Sequence, residues 1–164
     1  MQNFENFTFD HLNNLQIGRI GEYWAKIWLT LGGFETYTVD VDDRGIDFVM
    51  KNQQNDFYKI QVKSIKRPTS SIFITKKGEW ETDKLNKNLF LCVVIFENYK
   101  SPEIFLIPST VWLNQNNIFK DRKYENGQSS KPEWGINISK KNMIELKEYE
   151  LKLFIENQLK RPNS

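Results

Sequence analysis

DRGIDFVMKNQQNDFYKIQVKSIK, residues 43–66, sets Asp47 inside an apolar run and follows it with Gln61 and Lys63 on the next one. A charge removed from water is costly unless something compensates it, so this stretch demands a partner for Asp47. GIDFVM (45–50) and FYKIQVKSI (57–65) read as strands, joined by the polar turn KNQQND (51–56). Alternate strand residues share a face. Gly45, Asp47 and Val49 then point one way, and Ile46, Phe48 and Met50 the other. Lys59, Gln61 and Lys63 share one face, opposite Tyr58, Ile60 and Val62. A turn centred on Gln54 sets Asp47 opposite Gln61, and a shift of two residues sets it opposite Lys59 or Lys63. A one-residue slip drives the carboxylate toward Ile60 and Val62, and the apolar pattern selects against that slip. The pattern therefore predicts Asp47, Gln61 and Lys63 clustered on one side of a hairpin.

The flanking sequence supplies helices and further strands. FDHLNNLQIGRIGEYWAKIWLTLGG (9–33) reads as a helix stopped at Gly32-Gly33. Gly18, Gly21, Glu22, Ala25 and Leu29 line one of its faces, small enough around Glu22 to approach a sheet closely. A bulkier stripe, Ile20, Trp24, Ile27, Trp28 and Leu31, also calls for cover, so the helix is expected between two layers. By spacing alone Glu22 pairs with Lys26 one turn on, or faces the sheet. FETYTVDV, SIFIT and EIFLI read as further strands, and WGINIS as a short edge strand. NLFLCVVIF is continuously apolar, the mark of a central strand covered on both faces. PSTVWLNQ opens like a short helix, residues 119–134 read as a polar loop, and a closing helix is expected at about 142–160, with Ile144, Leu151, Phe154, Ile155 and Leu159 to pack. The sum is an α/β domain spanning 1–164, a single mixed sheet flanked by helices.

Composition bounds the rest. Hydrophobic residues make up 39% of the 164 and charged residues 27%, with a net charge of +2. That balance permits nucleic-acid binding without announcing it. The single cysteine, Cys92, excludes an intrachain disulfide and reads as a small buried hydrophobe. With only one histidine, His11, a Cys/His zinc site has too few ligands. The first residues lack the pattern of a signal peptide, and the longest apolar run, 89–96, is far short of a membrane span. A soluble cytoplasmic protein is the expectation.

Three pieces in order, GRIGEYW with Glu22, RGIDFV with Asp47 and IQVKS with Gln61 and Lys63, resemble the PD-(D/E)XK nuclease superfamily. Ile46 stands where the name-giving proline would be, and Gln61 where an acid is usual. This Gln-x-Lys variant is similar to uncharacterised bacterial nuclease-like domains and to some homing endonucleases. The likeness covers residues 15–66 best, and LFLCVVIF and EIFLIPSTVW look similar to the later strands and short helix of such domains. It implies a restriction-endonuclease-like αβββαβ core. It also implies a divalent metal, Mg²⁺ or Mn²⁺, held by Asp47 and the Gln61 side-chain oxygen, with the Val62 carbonyl as a further ligand and Glu22 acting directly or through water. Glu22, Asp47, Gln61 and Lys63 are then the catalytic set, Lys63 orienting the attacking water or stabilising charge on the phosphate. Gln61 removes one negative charge from that set, which weakens metal affinity and argues against a two-metal arrangement.

The implied activity is phosphodiester hydrolysis by an endonuclease, with DNA expected ahead of RNA. Expected phosphate contacts are Arg44, Lys66, Arg67, Lys76 and Lys77, with Arg122, Lys123, Lys140 and Lys141 as further candidates. Residues 119–134 are the suggested carrier of specificity, and cutting both strands of a duplex would favour a homodimer. The alternative is a catalytically inactive nuclease-like domain that binds nucleic acid or a protein partner.

Overall fold

The computed structural model describes residues 6–40, 44–124 and 131–160. Its elements in chain order are α1 (Asn14–Leu31), β1 (Glu35–Thr38), β2 (Phe48–Lys51), β3 (Phe57–Lys66), β4 (Ser71–Thr75), β5 (Leu89–Phe96), β6 (Glu103–Pro108), β7 (Phe119–Arg122), β8 (Glu133–Asn137), α2 (Met143–Leu146) and α3 (Leu151–Leu159). Every residue of β5 is buried, as its unbroken apolar run requires. It lies inside a five-stranded sheet of order β1-β2-β3-β5-β6, in which only the β3–β5 pair is parallel.

Alternation along β5 builds two cores. Phe90, Cys92, Val94 and Phe96 join Ile17, Ala25 and Leu29 of α1. Leu89, Leu91, Val93 and Ile95 join Ile72, Ile74, Phe119, Trp134 and Ile136 on the other side. The latter group comes from a second sheet of order β4-β8-β7, an addition to the single sheet expected. SIFIT pairs with residues 133–137 because its Ile72 and Ile74 need the same apolar layer as Trp134 and Ile136. WGINIS, expected at an edge, supplies the middle strand of that sheet. The expected loop 119–134 contains β7 and the start of β8, and its residues 125–130 lie outside the described ones. PSTVWLNQ forms one 3₁₀ turn, Ser109–Leu113.

α1 begins where Asn13 and Gln16 form a reciprocal capping box, each side chain bonding the other's backbone N–H at 2.9 Å. Such a cap is worth about 1 kcal/mol. The helix lies on the sheet through Ile17, Gly21, Ala25 and Leu29. The bulky stripe is covered only in part. Ile20 and Trp24 pack against the core, whereas Ile27, Trp28 and Leu31 remain exposed, so α1 has one covered side rather than two.

The closing segment is divided. Glu150 adopts extended backbone and bridges Phe105 of β6, which separates α2 and the turn Lys147–Tyr149 from α3. Leu151, Phe154 and Ile155 pack as expected, but Ile144 and Leu159 face solvent, and Leu146 fills the core instead. Among the described residues no helix is long and apolar enough to cross a membrane.

Candidate active site at the β2–β3 fork

The hairpin register runs Phe48↔Ile60, Val49↔Lys59, Met50↔Tyr58 and Lys51↔Phe57, which centres the turn on Gln54. Continued by one residue, it sets Asp47 opposite Gln61. The ladder stops at Phe48, however, while β3 runs on to Lys66. Asp47 stands at the point of separation. Its N–H donates to the Ile60 carbonyl at 2.8 Å, and its carboxylate accepts from the Val62 N–H at 2.5 Å. The carboxylate thus replaces a backbone acceptor of the departing strand. N–H and C=O of one strand residue leave on the same side, so the Val62 carbonyl also faces this fork.

The split changes one expectation. Ile46, assigned to the face of Phe48 and Met50, packs in the opposite core. Strict alternation ends where the strand does, and Ile46 follows the turn of the chain toward the second sheet.

Gln61 and Lys63 project on the second-sheet side, since their β5 partners Leu91 and Val93 belong to that core. Gln61 is 8% exposed, and its Oε1 is buried with no hydrogen-bond partner among the described residues. Its amide nitrogen lies 3.5 Å from where a side chain on Gly45 would begin. Gly45 has φ +75°, so both space and backbone favour glycine there. Lys63 is half-buried and, among the described residues, pairs with no carboxylate. Asp47 is felt across β3: its charge, after burial, helps push the Cys92 thiol up to about 12.

Glu22 arrives on α1. Gly21 brings the helix so close to β3 that a Cβ there would lie 1.7 Å from Ser64 Oγ. Lys26, one turn on, donates to Thr38 and lies over the Phe48 ring. These contacts set α1, and Glu22 with it, on the face of the sheet that carries Phe48 and Ser64, opposite the face of Gln61 and Lys63. Its carboxylate pairs with Arg19 at 3.1 Å and not with Lys26. Among the described residues no group of three or more His, Cys, Asp or Glu side chains converges, so any cation here draws on amide and backbone oxygens as well.

A turn that carries no sequence signal braces the fork. In the 3₁₀ turn Gly78–Trp80, the Glu79 N–H donates to the Arg44 carbonyl at 3.1 Å, and the Trp80 indole to the Gly45 carbonyl at 2.9 Å. Glu79 also forms a 2.8 Å ion pair with Lys59. Trp80 is fully buried and accepts from the Trp134 indole at 2.8 Å, which ties the second sheet to the backbone just before Asp47.

The expected phosphate-binding cations divide. Lys66 donates to the carbonyls of Phe9 and Leu12, and Arg67 to that of Ile138. Lys76 pairs with Asp121 and lies 3.6 Å from the centre of the Trp134 ring. These three heads serve internal contacts. Arg44, Lys77, Arg122, Lys123, Lys140 and Lys141 are exposed.

No protein-family model matches the sequence, and no curated protein matches it significantly. Solved structures do. The Holliday junction resolvase Hjc of Archaeoglobus fulgidus aligns over 85% of this chain and 95% of its own, at 12% identity and a TM-score of 0.48. The bacterial homing endonuclease I-Ssp6803I aligns over 90% of this chain and 94% of its own, at 16% identity and a TM-score of 0.52. The chain thus shares its overall fold with that endonuclease, the restriction-endonuclease-like fold.

Proposed function

We propose that the protein is a divalent-metal-dependent endonuclease acting on DNA, with its site at the β2–β3 fork. The observation that carries this reading is the Gln61 Oε1 atom, buried and without a partner among the described residues, on the strand whose Val62 N–H holds the Asp47 carboxylate. An acceptor left so costs about 1–3 kcal/mol, a cost that a bound cation would remove. The donors are all oxygens, which suits Mg²⁺ or Mn²⁺. Asp47, Gln61 and the Val62 carbonyl would hold the ion, with Glu22 reaching it directly or through water. With no group of three acidic side chains among the described residues, the set fits a single ion better than a pair. The ion would polarise a phosphate oxygen and make water a better nucleophile.

The chain's own residues supply the rest. The Val62 N–H fixes the Asp47 carboxylate. Lys63, with no carboxylate partner among the described residues, would orient water or meet the charge that grows on the scissile phosphate. Lys77 and Arg44 stand next to the fork and would hold flanking phosphates. The fold neighbour is an endonuclease, which supports the same reaction class.

Nicking of supercoiled plasmid with Mg²⁺ or Mn²⁺ tests the proposal. Cutting that stops with EDTA and is lost in Asp47→Ala and Lys63→Ala supports it. Cutting that survives both substitutions rejects this site. The Glu22–Arg19 ion pair favours a second reading, a nuclease-like domain that binds nucleic acid without cutting. Salt-sensitive binding with no turnover in either metal would select it.

A further inference from the structure

The outer face of the second sheet carries cations and aromatic rings that the fork does not use. Inward residues of β4, β7 and β8 form the core, so Phe73, Lys120, Arg122, Glu133 and Gly135 point outward. Phe73 is 41% exposed. The Arg122 guanidinium lies 4.5 Å from the Phe73 ring centre and 5.8 Å from that of Tyr124. Gly135 makes this possible: the Arg122 stem passes 3.4 Å from where a Cβ would stand. Among the described residues neither Arg122 nor Lys120 has a carboxylate partner, and Glu133 accepts from the Tyr124 hydroxyl. Covering Phe73 accounts for the Arg122 stem. It does not account for Lys120, a second cation on the same face of β7 with no carboxylate partner among the described residues.

From this face we infer a binding surface for single-stranded nucleic acid. An unpaired base stacks on a planar guanidinium or an aromatic ring, whereas duplex bases present no free faces. Lys120 and Arg122 meet the phosphates. The surface also leads to the fork. Arg122 and Thr75 flank Glu133 on neighbouring strands, about 10 Å apart. Thr75 is followed by Lys77 and by Gly78, which rests on the Arg44 carbonyl. A strand crossing from Arg122 past Lys77 thus approaches Asp47. The inference takes its meaning from the nuclease reading, but its test is independent of cleavage.

The test is fluorescence anisotropy of a labelled oligothymidylate of about 12 nucleotides, titrated in EDTA with the full chain, against a duplex of equal length. Expected is binding that weakens with salt and favours the single strand. Arg122→Ala and Phe73→Ala should each weaken it about fivefold or more. Arg122→Lys should not restore it, because an ammonium offers no plane to stack on. Lys120→Ala should lower the slope of log K against log salt by about 0.7. Arg122→Gln keeps the stem over Phe73 and guards against misfolding as the cause of a loss. Unchanged binding in these variants, a preference for duplex, or no binding of the oligonucleotide overturns the inference. Asp47→Ala separates the two claims: it should bind as wild type, and lost cleavage with retained binding leaves this surface standing.

Discussion

One hairpin holds two buried amides, and they are treated in opposite ways. At the turn, Asn52 is 4% exposed and fully engaged. Its Oδ1 accepts from the N–H groups of Gln54 and Asp56 at 3.0 and 2.8 Å, and its Nδ2 reaches Asp56 and Tyr58. At the fork, Gln61 is nearly as buried, yet its oxygen has no partner among the described residues. A buried polar group with complete bonding stabilises the fold. One without it weakens the fold, and its persistence points to a ligand. The closed end of the hairpin is therefore structural, and the open end is the place where chemistry is expected.

Substitutions at the two ends can break this contrast. Asp47→Ala should reduce cleavage about 100-fold or more, read by plasmid nicking, while nucleic-acid binding persists. Asn52→Leu should leave the Gln54 and Asp56 N–H groups without acceptors and lower stability by about 2–3 kcal/mol, read by urea denaturation. Gly21→Ala, which forces a methyl into Ser64, should cost about 1–3 kcal/mol and slow cleavage by shifting α1 and β3 next to Lys63. Gln61→Leu should leave stability within about 1 kcal/mol of wild type or raise it, and still abolish cutting. A large destabilisation there would make Gln61 as structural as Asn52.

Gln61→Glu sharpens the same point. It should tighten Mn²⁺ binding measured by calorimetry and destabilise the metal-free protein at neutral pH, because burial opposes the charged carboxylate. The smallest effect concerns Cys92. A thiol pushed up to about 12 by burial stays protonated at pH 8, so it should resist alkylation until the chain unfolds.

Much of the fold is legible in local patterns. The unbroken run 89–96 requires a central strand and Gly32-Gly33 marks the end of α1, whereas the helix expected from residue 9 starts only at Asn14, behind its Asn13 cap. The alternation of Tyr58, Ile60 and Val62 against Phe48 and Met50 ruled out a one-residue slip, while the choice among registers two residues apart came from the structure. The second sheet was not legible. SIFIT and WGINIS look like strands, but which strand pairs with which depends on long-range apolar layers that sequence spacing does not encode. The split closing helix was hidden as well, since Glu150 leaves helical backbone only to bridge Phe105.

The candidate site divides along the same line. Sequence alone put Asp47, Gln61 and Lys63 on one hairpin and Glu22 on a close-packed helix, because periodicity fixes which side chains share a face. Only the tertiary structure decided that the hairpin opens at Asp47, that Val62 takes its carboxylate, and that Lys66, Arg67 and Lys76 are spent inside the protein. A period assigns a direction to each residue. Whether a polar group there finds a partner depends on what distant segments bring to it, as Trp80 brings to Gly45 and none of the described residues brings to the Gln61 oxygen.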